Sequence, residues 1–354
     1  MGRLAIIKYF AAMMLTLQIV LTLFTITALF GGDVSPIGHS ARAMLVYALP
    51  LLIAGNAIML IYWLIRRKWL YALVPIITIA FCIPYIGTQW QFRSLDKTAD
   101  AQPGIKVATY NVCKFNRETS GFMAQDILAE MRRQKVDVLC MQEYNEVSGD
   151  KKNSDSYKDY FPYLATGRED MVIYSRYPIK DTRKILFEET NNSAMWADID
   201  VKGEKIRVFN VHLETTGINR TLRQAGKLAA QGFDVDSNRF LEAIFGNYML
   251  GMMFRAGQAN MVANEKRSSE KPVIMCGDFN DVPYSYVYNT MLGNMVDGFK
   301  ECGSGWARTF RDGKKAVRID YIFHDEALKG LSYYKSELTY SDHFPVFMKL
   351  SFQK

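Results

Sequence analysis

Apolar positions are spread very unevenly along this chain of 354 residues. Three long apolar stretches fill the first ninety residues, over about 9–30, 43–65 and 70–90. A helix needs about 20 apolar residues to cross about 30 Å of hydrocarbon, and the first two stretches reach that length without a charge. The third is shorter and contains Pro75 and Pro84, which favours a kinked helix. The pattern therefore predicts three transmembrane helices within residues 1–90.

From residue 105 onward, short apolar runs typical of strands alternate with helical periods. Strands are predicted over 106–110, 136–141, 171–175, 194–201, 206–213, 272–275, 318–323 and 336–340, and helices over 120–134, 221–231 and 239–263. Ser120 is the expected N-cap of the first of these helices. Residues 91–104 are polar and are predicted to form a linker. The elements suit a domain over 105–354 in which two packed sheets lie between helices.

The helix predicted over 239–263 is unusually apolar for a surface element. One interpretation is a helix packed on the outer face of a sheet, which is the common use of such a pattern. The other is a lip that touches the bilayer or a lipid substrate. Both interpretations stay open on the sequence alone.

Charge separates the two parts of the chain. The whole chain has 43 Lys and Arg against 36 Asp and Glu, but residues 1–98 hold eight of the basic residues and two of the acids, which leaves the rest a net charge of +1. A strongly basic nucleic-acid face is therefore not required. Arg3, Lys8 and the run 66–68 lie on one side of the predicted spans, which the positive-inside rule makes cytoplasmic. We expect a multi-pass protein of the cytoplasmic (inner) membrane, with the domain over 105–354 outside the cytoplasm.

Polar residues follow or interrupt the predicted strands at six places. They are Asn111 after 106–110, Gln142 and Glu143 after 136–141, Asn210 and His212 after 206–209, Asp278 and Asn280 after 272–275, Asp320 within 318–323, and Ser341, Asp342 and His343 after 336–340. Strand ends that carry carboxylate, amide and imidazole groups are a common way to build a polar site on a rigid frame. Six such places in one chain predict an active site.

Two groups of these residues suit different tasks. The carboxylates of Glu143 and Asp342, with the amide oxygen of Asn111, are suitable ligands for Mg²⁺, with Mn²⁺ as a possible substitute. Asp278 and Asn280 lie two residues apart, so on an extended strand end they would point to the same side. There one could deprotonate or orient water while the other contacts a phosphoryl oxygen. A turn rich in Asp and Asn is the alternative for the same residues.

Two imidazoles complete the candidate chemistry. His343 needs a carboxylate partner, and Asp320 is the candidate because an unpaired acid in an apolar run would be costly to bury. His212 is a candidate phosphate contact or leaving-group acid. Arg168, before the strand predicted over 171–175, would either bind a phosphate or be solvated.

With these residues the chain resembles the endonuclease/exonuclease/phosphatase superfamily, whose fold is that of deoxyribonuclease I. The matching strings come in the family's order: TYN (109–111), QE (142–143), NVHLE (210–214), GDFND (277–281), RIDYIF (318–323) and SDH (341–343). The resemblance covers the chain from about residue 104 to its end. It implies an α/β (α+β) domain, a four-layered α/β/β/α sandwich of two packed mixed sheets. The activity it implies is that of a metal-dependent phosphoric ester hydrolase.

The resemblance also implies roles for the matching residues. The family's principal metal site corresponds to Asn111, Glu143 and Asp342. Asp278 matches the residue that activates water, and Asn280 matches a phosphate contact. Asp320 and His343 match a pair whose imidazole stabilises the transition state.

The sequence thus predicts a membrane-tethered, Mg²⁺-dependent phosphodiesterase or phosphatase. The tether, the near-neutral domain and the apolar helix favour a phospholipid or sphingolipid headgroup as substrate, with the bilayer as partner; no protein partner is inferred. An endo- or exonuclease acting on nucleic acid is the alternative, although Cys113 stands where some nucleases of the family carry an acid. A catalytically silent binding scaffold with the same fold is the alternative from another class.

Overall fold

The computed structural model describes residues 3–96, 98–116, 124–144, 158–168, 170–188, 190–217, 221, 226–227, 237–311, 317–338 and 340–353. Two compact units are formed, the first by Met1–Thr88 with Val282–Asn289 and the second by Gln89–Asp281 with Thr290–Lys354. The N-cap expected at Ser120 and most of the helix predicted over 221–231 lie outside the described residues.

Long apolar helices make up most of the first unit. They are Arg3–Leu29, Pro36–Met44, Leu49–Ile65 and Trp69–Gln89, the second and third being joined by a short 3₁₀ turn over Leu45–Ala48. Three segments are long and apolar enough to cross a membrane: Ile6–Asp33, Pro36–Ile65 and Trp69–Gln89. Pro75 and Pro84 both lie inside the last helix, which continues through them. The three candidate spans predicted from the sequence are confirmed.

A chain of polar side chains links the three spans. The Gln18 amide donates to Asn56 Oδ1 over 2.9 Å, and the Asn56 amide donates to Thr25 Oγ1 over 2.8 Å. The hydroxyls of Thr22 and Thr78, 3.1 Å apart, connect the first span to the third. Hydrogen bonds of this kind between transmembrane helices contribute roughly 0.6–2 kcal/mol each. These hydrogen bonds favour one packing of the three helices, because apolar side chains contact lipid as favourably as they contact another helix.

The second unit is built on two six-stranded sheets. Sheet A orders its strands as Leu328–Lys335, Val346–Phe352, Ile105–Asn111, Val138–Gln142, Met171–Ser175 and Tyr163–Thr166. Sheet B orders its strands as Val296–Asp297, Asp320–His324, Val273–Asp278, Glu204–His212, Ser193–Val201 and Ile179–Leu186. Each sheet is mixed, because its two central strands are parallel and its other neighbours antiparallel. A short helix of this unit is Gly298–Cys302, and helix Tyr286–Leu292 begins in the first unit and ends in the second.

The two sheets pack face to face between two helices. Their shared core contains Val107 and Cys140 from sheet A and Val208, Ile274 and Cys276 from sheet B, all fully buried. Helix Ala124–Arg133 buries its apolar face on the other side of sheet A. Helix Ser237–Arg267 covers sheet B, where its Glu265 accepts a hydrogen bond from the Trp196 indole. The four-layered sandwich expected from the sequence is therefore confirmed.

Two segments differ from expectation. The predicted linker begins with strand Trp90–Gln91, which pairs with Gly305–Trp306, so its start is part of the second unit. The strand predicted over 336–340 is wrong for the residues described there. Strand Leu328–Lys335 ends earlier, and the Ser336 amide donates to the Pro345 carbonyl as the chain turns back towards the next strand.

Candidate active site

The candidate site lies where the parallel strands of both sheets end. Asn111 and Gln142 are the last paired residues of the parallel pair in sheet A, and His212 and Asp278 are the last of the pair in sheet B. Gln142 crosses between the sheets by donating to the Asn210 amide oxygen over 2.6 Å. Carboxyl ends of parallel strands are a frequent location for functional groups, because rigid strands hold the side chains of the following residues in place.

Asn111 stands at the centre of this group. Its buried amide nitrogen donates to Asp278 Oδ2 over 3.0 Å and to Glu143 Oε1 over 3.2 Å. The Ser341 hydroxyl donates to the Asn111 backbone carbonyl over 2.8 Å, and this bond holds the loop that carries Asp342. Strand ends from both sheets and the Ser341 loop are thereby brought together.

A line of charged groups runs from Asp320 through His343 to Asp278. His343 Nδ1 lies 2.9 Å from Asp320 Oδ2, and His343 Nε2 lies 3.6 Å from Asp278 Oδ2. Burial alone lowers the pKa of His343, but the Asp320 and Asp278 carboxylates outweigh it and raise that pKa to about 10. The imidazole is therefore protonated at neutral pH. The Thr309 hydroxyl accepts the backbone N–H of Asp320 and fixes the start of its strand.

For the pKa of Asp278, burial outweighs the neighbouring groups. Its carboxyl is buried, and this burial raises its pKa to about 6 even though His343, His212 and the Asn111 amide favour the ionised form. A carboxylate with a pKa close to neutrality can accept a proton during a reaction and release it afterwards.

A second imidazole–carboxylate pair lies beside the first. His212 Nδ1 is 3.3 Å from Asp170 Oδ2, and His212 Nε2 is 3.9 Å from Glu143 Oε1. Burial lowers the pKa of His212, but the hydrogen bond to Asp170 and the nearby carboxylates give a net rise. Sequence reasoning missed Asp170, whose only signal is an acid directly before the strand Met171–Ser175.

Arg168 is not brought into this group. Its guanidinium donates to the Thr190 carbonyl over 3.0 Å, and no contact with the other predicted site residues is found in the described part of the chain. The loop instead reaches the site through Asp170, two residues later.

The backbone at the site is held in uncommon conformations. Glu143 and Asn280 have φ of 52° and 51°, the left-handed region, which costs a non-glycine residue roughly 1–3 kcal/mol unless its surroundings enforce it. The Asn280 amide N–H donates to Asp278 Oδ1 over 2.8 Å, while its side chain donates to the Leu213 carbonyl. The expectation of an extended strand end carrying Asp278 and Asn280 is therefore wrong. The alternative, a turn closed by the Asp side chain, is what the structure contains.

Gly277 precedes this turn at a place where no side chain fits. Its φ is 140°, and a Cβ there would lie 1.9 Å from the Val211 carbonyl oxygen. This close approach of neighbouring strands explains the glycine directly before Asp278.

A buried arginine supports both loops of sheet B. Arg255, in helix Ser237–Arg267, pairs with Asp281 Oδ2 at 3.3 Å and donates to the Glu214 carbonyl over 3.1 Å. Gln258, one turn later, accepts the Glu214 backbone N–H over 2.8 Å. These contacts hold the segments that follow His212 and Asp278, and sequence reasoning did not anticipate them.

The charge balance and the donor atoms fit a divalent cation. Five carboxylates surround two imidazoles: Glu143, Asp170, Asp278, Asp320 and Asp342. Even with both imidazoles protonated, negative charge is in excess, and hard oxygen donors are what Mg²⁺ prefers. Ligand atoms of Asp278, Asp320 and His343 also lie within 4.8 Å of one another. A metal there would have to displace the imidazole proton, so the carboxylate oxygens of Glu143 and Asp342 suit a cation better. The Asn111 amide turns its nitrogen to Glu143, and its oxygen accepts the Cys113 backbone N–H over 3.0 Å.

Comparison with known proteins agrees with this fold. The Endonuclease/Exonuclease/phosphatase family matches residues 108–343, about two thirds of the chain. A Domain of unknown function (DUF8431) matches residues 11–89. No curated protein matches the chain.

Solved structures share the fold of the second unit. An endonuclease/exonuclease/phosphatase from Bacteroides vulgatus is 18% identical with a TM-score of 0.51, over 71% of this chain and 100% of that one. A protein of the same description from Beutenbergia cavernae is 18% identical with a TM-score of 0.51, over 71% of this chain and 72% of that one. D. rerio TDP2, complexed with a single strand DNA product, is 14% identical with a TM-score of 0.50, over 71% of this chain and 100% of that one. At these identities the likeness establishes the fold alone.

Proposed function

The chain belongs to the Endonuclease/Exonuclease/phosphatase family, and from this membership we propose that it is a membrane-tethered, divalent-cation-dependent phosphoesterase. Members of the family are hydrolases that act on phosphate esters and generally use a divalent metal ion. The observation that supports this function best is the line Asp320–His343–Asp278 beside the amide of Asn111. This arrangement favours a working site over a silent scaffold, because buried groups with strongly shifted pKa values at strand ends are concentrated at functional sites.

In the proposed reaction Asp278 accepts the proton of the attacking water. Its carboxylate is oriented by the hydrogen bonds from Asn111 and from the Asn280 backbone, and its raised pKa suits a base that must be regenerated. The Asn280 side chain lies in the same turn, where it can contact a phosphoryl oxygen.

The two imidazoles take complementary roles. Protonated His343, held by Asp320, neutralises the charge that grows on the phosphoryl oxygens in the transition state. His212, held in one orientation by Asp170, donates a proton to the leaving oxygen. Both rings are fixed through Nδ1, which leaves Nε2 of each for the substrate.

The proposed cation ligands are the Glu143 and Asp342 carboxylates and the Asn111 amide oxygen. Mg²⁺, or Mn²⁺ as a substitute, would supply Lewis-acid neutralisation of the phosphate and stabilise the leaving oxygen. Arg168 remains a proposed substrate contact only if its guanidinium leaves the Thr190 carbonyl.

A phospholipid or sphingolipid headgroup is the proposed substrate class. Three features support it: the membrane spans, the net charge of only +1 on residues 99–354, and the apolar helix Ser237–Arg267. We also propose the cytoplasmic (inner) membrane as the location, with the catalytic domain outside the cytoplasm, because Arg3, Lys8 and Arg66 flank the spans on one side.

A substrate panel tests the proposal. The purified full chain would be assayed with Mg²⁺ on phospholipid vesicles, sphingomyelin vesicles, plasmid DNA, single-stranded DNA and a soluble phosphodiester. We expect the highest rate on one class of vesicle and measurable turnover of the soluble diester. Equal or faster hydrolysis of DNA, falling steeply between 50 and 200 mM salt, would replace lipid by nucleic acid as the substrate.

A further inference from the structure

One helix carries an apolar face that is buried in its second half and uncovered in its first. Leu241 and Ala259 are separated by five full turns, and so are Phe245 and Ala263, which places each pair on one line of the helix Ser237–Arg267. Ala259 is 0% exposed and Ala263 7% exposed. Leu241 is 51% exposed and Phe245 57% exposed. The line that is buried at Ala259 and Ala263 is therefore exposed at Leu241 and Phe245.

The first half of the helix, residues 238–250, forms a lip that is exposed along the line of Leu241 and Phe245 and partly covered elsewhere. None of its residues is buried in the described part of the chain, and it extends for about 20 Å at 1.5 Å per residue. Its only charged residues are Arg239 and Glu242, which lie away from the line of Leu241. Apolar side chains on one face of a helix can be buried at the boundary between lipid headgroups and acyl chains, and here that apolar area would supply the attraction, since the two charges cancel.

The lip is joined directly to the active-site loop that follows His212. At Gly251, where the lip ends, a Cβ would lie 2.6 Å from the Thr215 carbonyl, so helix and loop are in close backbone contact. Arg255 and Gln258 then hold Glu214 in the same loop. The Asn280 side chain bonds to the Leu213 carbonyl at the start of this loop. A bilayer surface in contact with the lip would therefore lie close to the loop that follows His212.

The tether favours a bilayer over other occupants of this face. The third candidate span ends at Gln89, which is also the first residue of the second unit. The second unit is thereby held at a membrane at high effective concentration, whereas a soluble partner would have to be recruited.

We propose that the lip inserts the face marked by Leu241 and Phe245 into the surface of the bilayer that anchors the chain. A lipid headgroup beside the lip would then reach the site without leaving the membrane. This inference rests on the proposed phosphoesterase function and assigns its substrate to the bilayer surface.

A fluorescence experiment tests insertion independently of activity. The full chain would be reconstituted in phosphatidylcholine–phosphatidylglycerol vesicles, with Cys113 and Cys302, the two cysteines that are not buried, replaced by serine. A polarity-sensitive label would be attached through Phe245→Cys and, as matched control, through Leu186→Cys, whose native side chain is 53% exposed on an edge strand of sheet B. We expect doxyl-labelled lipids to quench the label at 245 at least roughly threefold more than the label at 186. Equal quenching at the two positions would overturn the proposal.

Shielding at 245 without lipid quenching would also overturn it, because another protein segment or a second copy would then cover the lip. Activity gives a second readout. In Phe245→Ser, hydrolysis of vesicle lipid should fall by roughly tenfold, while hydrolysis of a soluble diester and the activity of Leu186→Ser stay within about twofold of native. Equal losses on both substrates would mean that the lip supports the fold instead. If the native chain hydrolyses neither substrate, the proposed function fails, and the label still decides whether the lip inserts.

Discussion

Neutralising Asp320 is the perturbation whose effect follows most directly from the geometry. In Asp320→Asn the side chain keeps its size and loses its charge, so His343 loses the partner that lies 2.9 Å from its Nδ1. The Asp320 carboxylate is the largest influence that raises the pKa of His343, against a burial that lowers it. We therefore expect the imidazole to give up its proton at a much lower pH in this variant.

The size of the effect can be worked from the pKa. A rise from the ordinary 6.5 to about 10 corresponds to about 5 kcal/mol in favour of the protonated ring. Since the folded pKa is raised, the protonated form is complete at low pH and is lost only as the pH passes through about 10. Without the Asp320 charge, burial lowers the pKa against Asp278 and Asp342 alone. With the ordinary 6.5 as reference, about 1% of the ring would remain protonated at pH 8.5.

The assay is kcat/KM for a soluble phosphodiester, measured from pH 5.5 to 9.5 for native and variant. The native-to-variant ratio should be about 100 at pH 8.5 and below about 10 at pH 5.5. Glu301→Gln is the matched control. His324 is a buried imidazole on the same strand as Asp320, its Nε2 lies 2.8 Å from Glu301 Oε2, and the substitution removes the charge of that partner. A ratio that does not vary with pH would refute a catalytic role for the His343 proton.

Three further predictions concern the supports of the site and of the spans. Asp170→Asn should lower kcat roughly tenfold through His212 with little change in melting temperature, and an unchanged kcat would rule out that coupling. Arg255→Met leaves Asp281 buried without this cation and should cost about 3–5 kcal/mol in urea unfolding, a cost that Asp281→Leu in the same chain should largely remove. Asn56→Leu removes hydrogen bonds between spans and should lower resistance to SDS-induced unfolding by about 1–3 kcal/mol, so an unchanged SDS midpoint would contradict the described network.

The features that were predictable from the sequence are those with a local signal. Strand ends such as those at Asn111 and Asp278 are recognisable because an apolar run stops at a polar residue, and parallel pairing then brings the ends together. The three candidate membrane spans were predictable for the same reason, since length and apolar composition define them.

The features that escaped prediction depend on partners distant in sequence. Asp170 and His212 are 42 residues apart, and Arg255 and Asp281 are 26 apart, so neither pair leaves a local pattern. At Asn280 the extended geometry was expected and the turn was the alternative. The turn forms because the Asn280 backbone N–H donates to the Asp278 side chain, which overrides the two-residue period of a strand.

The central claim is that the oxygen donors around Asn111 and the base Asp278 form a cation-dependent hydrolytic site. Its most direct test is release of product from a soluble phosphodiester by the purified full chain, with Mg²⁺ or Mn²⁺ and with EDTA, in native protein and in Asp278→Asn. We predict hydrolysis that requires the cation, is abolished by EDTA and falls by at least roughly 1,000-fold in the variant. Hydrolysis that persists in EDTA, or that is undiminished in Asp278→Asn, would contradict the account.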